Sequence, residues 1–152
     1  MTADALSGRL DGDTHVFPVR VYFEDTDAGG VVYHASYLRF AERARTEMMR
    51  LMGVDHTRLI AEDGVVFAVR RVEADYLRPA RLDDRLEVRT RLLEVHGASI
   101  LAEQNVLREG ADVARLRLLL ALIGRAGRPA RLPPALRRAL DTHMQTGKAK
   151  SA

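Results

Sequence analysis

At 152 residues the chain has the length of one domain, and 47% hydrophobic residues can supply a sizeable core. The absence of cysteine excludes a disulfide framework and thiolate chemistry. A pI near 9.7 overstates the charge, because the formal net charge is +3 and acidic residues are interspersed among the arginines. With 5% aromatics, the basic and aromatic stripe of a nucleic-acid binder is missing, so no nucleic-acid partner is expected.

Residues 1–14 read as a mobile leader without the basic start and apolar core of a signal peptide. A first strand is expected from Val16 to Glu24, on its β-branched and aromatic content. Glu24-Asp25-Thr26-Asp27-Ala28-Gly29-Gly30 then forms a turn, with Glu24 and Asp25 read as turn and solvent residues. From Ser36 to about Met52 an amphipathic helix is expected. Tyr37, Phe40, Ala41, Ala44, Met48, Leu51 and Met52 recur at three- and four-residue steps, and Arg43 and Glu47 are spaced as a supporting pair. Gly53 stops it.

Asp55 caps a short helical segment to Glu62. Gly64 opens a strand from Val65 towards Leu77, which Pro79 ends. Leu86–Leu92 alternates as a half-buried strand, and Ile100–Leu107 is another. Val113–Ile123 is the most apolar strand and should sit centrally. Arg117 interrupts its apolar run, which is too short to span a bilayer. A short helix follows Pro133-Pro134 to Thr142, and residues 144–152 read as a disordered tail. The order predicts an α+β fold in which five antiparallel strands pack on one long helix, forming a single domain over 15–143. A soluble cytoplasmic protein is the expectation.

Two stretches carry a family resemblance: EDTDAGGVVYHASYLRFAERARTEM at 24–48 and RPARLDD at 78–84. They resemble the hotdog-fold acyl-CoA thioesterases of the 4-hydroxybenzoyl-CoA type, and more closely the branch called Tol–Pal-associated acyl-CoA thioesterases. The resemblance runs from about Phe17 to Leu132. It implies a five-stranded antiparallel sheet wrapped around its helix, assembled as homodimers or homotetramers. It also implies hydrolysis of acyl thioesters of CoA, or of acyl carrier protein. Two positions depart from it. Phe23 stands where this branch often has Tyr, and His96-Gly97-Ala98 stands where the 4-hydroxybenzoyl-CoA enzymes carry a basic cluster.

The chemistry narrows by exclusion. The five histidines show no HExxH or HxH spacing, the serines sit in no GxSxG elbow, and no GxGxxG or P-loop occurs. No metal or cofactor is expected. What remains is the carboxylate turn, with His34 seven residues past Asp27. A carboxylate can attack a thioester carbonyl or activate a water, and a Gly pair lets backbone approach a ligand. Read cold, an Asp before two glycines also suits a plain turn. The resemblance makes Asp27 the catalytic carboxylate and adds His34 as acid or orienting donor.

Tyr33 is read as a wall of the substrate pocket. The resemblance places an oxyanion-binding amide at about Val66, beside Phe67, and the start of the long helix is the other source of such amides. Arg78 and Arg81 are candidates for holding the CoA phosphates. Glu42 and Glu47 are read as surface or structural residues. An acyl-thioester-binding scaffold with little activity is the alternative function.

Overall fold

The computed structural model describes residues 5–151. After a 3-10 turn at Ala5–Ser7 come β1 (Arg9–Asp11) and β2 (Thr14–Arg20). The helix α1 (Ser36–Leu51) is followed by α2 (His56–Arg58), which runs on as a π turn at Leu59–Asp63. Then come β3 (Val66–Tyr76), β4 (Arg85–Val95), β5 (Ser99–Arg108), β6 (Ala111–Ile123) and α3 (Pro134–Ser151). The strands form one antiparallel sheet in the order β1-β2-β4-β5-β6-β3. The fold is α+β, with α1 on one face of the sheet.

The sheet has six strands rather than five. The addition is β1, which folds back on β2 across Gly12-Asp13 with Arg9 opposite Val16 and Asp11 opposite Thr14. A Gly-Asp pair between two short extended runs is a hairpin signal, and Gly12 supplies the positive φ it needs. Part of the expected leader is thus a strand, while its residues 1–4 lie outside those described. The expected tail also differs, because α3 continues to Ser151 and only Ala152 lies beyond it.

The strand at Val16 was expected to reach Glu24, but β2 ends at Arg20. Val21 pairs instead with the Asp83-Asp84 turn, and the Asp25 carboxylate takes the Tyr22 amide at 2.8 Å, winding Phe23–Asp25 into a 3-10 turn. Nor is β6 central: it lies between β5 and β3, one place in from the edge.

The α1 face that packs on the sheet carries Tyr37, Phe40, Ala41, Ala44, Met48 and Met49, all buried. Opposite it, β6 turns Leu116, Leu118, Leu120 and Leu122 inward. Under the middle of the helix the core is polar. Gln104 is fully buried and donates from Nε2 to the Ala41 carbonyl and to Thr90 Oγ1, both at 2.9 Å. Its Oε1 accepts from Arg45 at 2.9 Å. Glu47 accepts from Ser7 at 2.7 Å and lies 3.4 Å from Arg50, in place of the Arg43 partner that the spacing suggests.

Ser7 also ties the first turn to His15, whose Nε2 donates to the Ser7 carbonyl at 2.7 Å. His15 is fully buried and its Nδ1 has no partner among the described residues, as fits a neutral ring. Burial lowers its pKa from the ordinary 6.5, against the opposing pull of the Ser7 bond and of Glu47. The unfolded chain therefore takes up a proton that the folded chain resists, and stability should fall as pH drops below 6.5. Burial lowers His143 and His56 in the same direction. Thermal melts between pH 7 and pH 5 should show this decline, with a shallower slope in His15→Asn.

The two edges of the sheet differ. The β1 edge is three residues long, but β3 is eleven residues long and, among the described residues, pairs only with β6. Along β3, Val66, Val69, Val72 and Tyr76 are exposed.

Candidate active site

The carboxylate turn is built on the start of α1. Asp27 and Val31 exchange backbone contact, with the Asp27 amide donating to the Val31 carbonyl at 2.9 Å. Asp27 Oδ1 accepts from the Gly29 amide at 2.8 Å and lies 3.5 Å from that of Val31. Two glycines make this possible. A Cβ on Gly29 would sit 3.2 Å from Asp27 Oδ1, and Gly30 has φ +79. The Asp27 side chain is exposed, and its Oδ2 has no protein donor among the described residues.

Asp25 is not a solvent residue. It is 5% exposed, and its carbonyl accepts from the Tyr33 amide at 2.8 Å and from Ser36 Oγ at 3.1 Å. This clamps the turn to the first residue of α1. The helix cap, Ala35, offers no side-chain acceptor to the first-turn amides.

His34 and Tyr33 are exposed neighbours with ring centroids 4.4 Å apart. Behind them stands Tyr76, at the end of β3. Its hydroxyl donates to the His34 carbonyl at 3.1 Å, and its ring lies 6.2 Å from that of His34 and 5.6 Å from that of Tyr37. Tyr76→Phe keeps the ring and removes the bond. Denaturant unfolding should report a loss of about 1 kcal/mol.

Arg78 and Arg81 belong to the same region. Val31 bridges to Arg81, and the Val32 amide donates to the Ala80 carbonyl at 2.8 Å. Both arginines are exposed, and Arg78 donates to the Asp112 carbonyl at 2.8 Å. Asp84 and Arg108 organise this loop. Asp84 Oδ2 accepts from the Arg81 amide at 2.8 Å and from Arg108 at 3.0 Å. Partial burial pushes the Asp84 carboxyl up, but those two donors hold it below the usual carboxylate range. Sequence reasoning missed Tyr76, Asp84 and Arg108. The signal was present in ADYLRPARLDD, where a Tyr and an Asp flank the two arginines.

Val66 and Phe67 lie elsewhere. They open β3, opposite Ile123 and Leu122, while Tyr76 closes it. Ten residue steps separate the two ends, roughly 33 Å at the rise of a strand. Within one chain, Val66 and Phe67 are therefore not brought to Asp27 and His34.

One antiparallel sheet on a long helix, with a carboxylate turn clamped to the helix start, defines a hotdog-fold protein. The chain belongs to the Thioesterase-like superfamily, whose model matches residues 21–140. It is 48% identical over 107 residues to the acyl-CoA thioesterase YbgC of Haemophilus influenzae, covering 70% of this chain and 79% of that one. A probable thioesterase from Bartonella henselae superposes with a TM-score of 0.76 at 41% identity, over 79% of this chain and 99% of the other. A thioesterase from Thermus thermophilus, solved with coenzyme A and zinc, gives a TM-score of 0.74 at 32% identity, over 86% and 93% of the two chains.

Proposed function

We infer that the chain is an acyl-CoA thioesterase in which Asp27 supplies the reacting carboxylate. The observation that carries this is the turn itself. Oδ1 is held by the Gly29 amide while Oδ2 stays open to a substrate on an exposed surface. Oδ2 attacks the thioester carbonyl, or takes a proton from the attacking water. His34 acts as proton donor to the leaving thiolate or as the group that orients the carbonyl. Tyr33 walls the pocket.

The developing oxyanion needs donors about 2.7–3.1 Å away. The uncapped start of α1 is one source. The Val66 amide is the other, and it reaches the site only from a second copy. A two-fold that pairs two β3 edges antiparallel sets the Val66 end of one chain beside the Tyr76 end of its partner. The long, unpaired edge of β3, along which Val66, Val69, Val72 and Tyr76 are exposed, supports this assembly. Pairing of two such dimers gives the tetramer. Arg78 and Arg81, exposed beside the turn, contact the phosphates of CoA or the phosphopantetheine of an acyl carrier protein.

No helix among the described residues is long and apolar enough to cross a membrane. Release of free thiol from a panel of acyl-CoA substrates tests this reading. A purified chain that liberates no thiol above the buffer rate from any of them would overturn it.

A further inference from the structure

The His34 imidazole stands exposed, and neither of its ring nitrogens has a hydrogen-bond partner among the described residues. An unheld imidazole on a surface turns between staggered rotamers, whereas a proton donor or orienting group works only within a narrow geometry. What surrounds His34 is aromatic. The Tyr33 ring lies 4.4 Å away, and the Tyr76 ring meets it edge-on at 6.2 Å with the planes at 75°. Edge-to-face contact in the range of about 4.5–7 Å is a favoured aromatic arrangement. The Tyr76 hydroxyl also donates to the His34 carbonyl at 3.1 Å, which fixes the peptide next to the side chain. Tyr76 is in turn held by the core. Its ring meets that of Tyr37 at 5.6 Å, and Tyr37 meets Phe40 at 6.0 Å, both of them buried. Its backbone lies opposite Ala114 of β6, and the next amide, Leu77, donates to the Val113 carbonyl at 2.9 Å.

We propose that Tyr76 is a positioning residue for thioester hydrolysis, aiming His34 through two contacts at once: its hydroxyl on the His34 carbonyl and its ring edge-on to the imidazole. The proposal rests on the reading of His34 as donor given above. Tyr76 acts through His34 and not on the reacting atoms. A strand end suits this role, because a side chain on a sheet is placed more tightly than one on a loop. The Tyr33 contact cannot do the same work, since Tyr33 is the preceding residue of the same turn and moves with it. Tyr76 comes from another element, 42 positions along the chain, and so ties the turn to the sheet. Burial raises the Tyr76 phenol above its ordinary 10, so the hydroxyl stays protonated and donating through the neutral range.

The experiment is a double-mutant cycle in kcat, run on the member of the acyl-CoA panel that the full-length wild type turns over fastest. The variants are Tyr76→Phe, His34→Ala and the two combined, with circular dichroism and light scattering to compare fold and assembly. Tyr76→Phe should lower kcat by about tenfold, the scale of one hydrogen bond, and leave KM within about twofold. His34→Ala should lower kcat by about 10²-fold. The double variant should match His34→Ala within about twofold, because nothing remains for Tyr76 to aim. A tyrosine that only props the fold would multiply the two losses, and so would a phenol that gave its own proton to the leaving group. Tyr76→Ala, which removes the ring as well, should fall further than Tyr76→Phe, towards the His34→Ala level. Losses that multiply, or a Tyr76→Phe enzyme with wild-type kcat, overturn the proposal and leave the His34 reading standing. A His34→Ala enzyme with wild-type kcat overturns both, and a wild type that releases no thiol from the panel overturns the thioesterase reading with them.

Discussion

Asp27→Asn should fold normally and lose at least about 10²-fold in kcat, the scale for a positioned acid, base or nucleophile. The substitution is near-isosteric. The amide oxygen can still accept from Gly29, so the turn and its clamp on α1 should survive. What disappears is the negative charge at Oδ2, the atom with no protein donor among the described residues. Far-UV circular dichroism and melting temperature should match the wild type while thiol release falls. Wild-type turnover in the purified variant would remove Asp27 from the chemistry. A loss of folding would show instead that the charge holds the turn together.

The second large effect is expected far from that carboxylate. Val69 and Val72 are 48% and 37% exposed on the unpaired edge of β3. Lysine at edge positions is a natural block to strand addition. The double variant Val69→Lys, Val72→Lys should therefore run as a monomer by light scattering. If the site is completed by the partner's β3, turnover should fall by about 10²-fold or more, the scale of a misplaced catalytic geometry. A fully active monomer would assign the oxyanion to the start of α1 in the same chain. A dimer that persists would place the interface elsewhere.

The legible parts of this protein are those where one local signal dominates. Helix α1 declares itself by its apolar spacing, β4 by alternation at Leu86–Leu92, and β6 by its apolar run at Val113–Ile123. Asp27 was marked by its glycines and by family resemblance. Other features depended on tertiary contact. Glu24 and Asp25 look equivalent along the chain, both reading as turn and solvent residues. Only the docking of α1 buries Asp25, through the Tyr22, Tyr33 and Ser36 bonds, and leaves Asp27 exposed. Helix α3 outruns its expected end with no apolar repeat to announce it. Its buried residues Leu136, Leu140 and His143 anchor the earlier turns, and His143 Nε2 meets the Asp13 carbonyl at 3.1 Å. The distance between Val66 and Asp27 was invisible too, because the resemblance names residues without saying which copy supplies them.

Gln104 has a consequence for how this family member can drift. Its amide joins half-buried Arg45 on the helix, buried Thr90 on β4 and the Ala41 carbonyl into one unit. Replacing one of the three side chains by an apolar residue leaves the buried polar groups of the others short of a partner, a heavier penalty than replacing all three together. Arg45, Thr90 and Gln104 should therefore travel as a linked set during divergence, retained whole or exchanged whole. Single-site libraries at these positions should return almost only the parental residue, whereas a library that varies the three at once should recover folded, wholly apolar solutions. The polar pin under α1 is thus an evolutionary ratchet. It holds the helix at one rotation, with Ser36 at the turn, and makes the first step away from it the costly one.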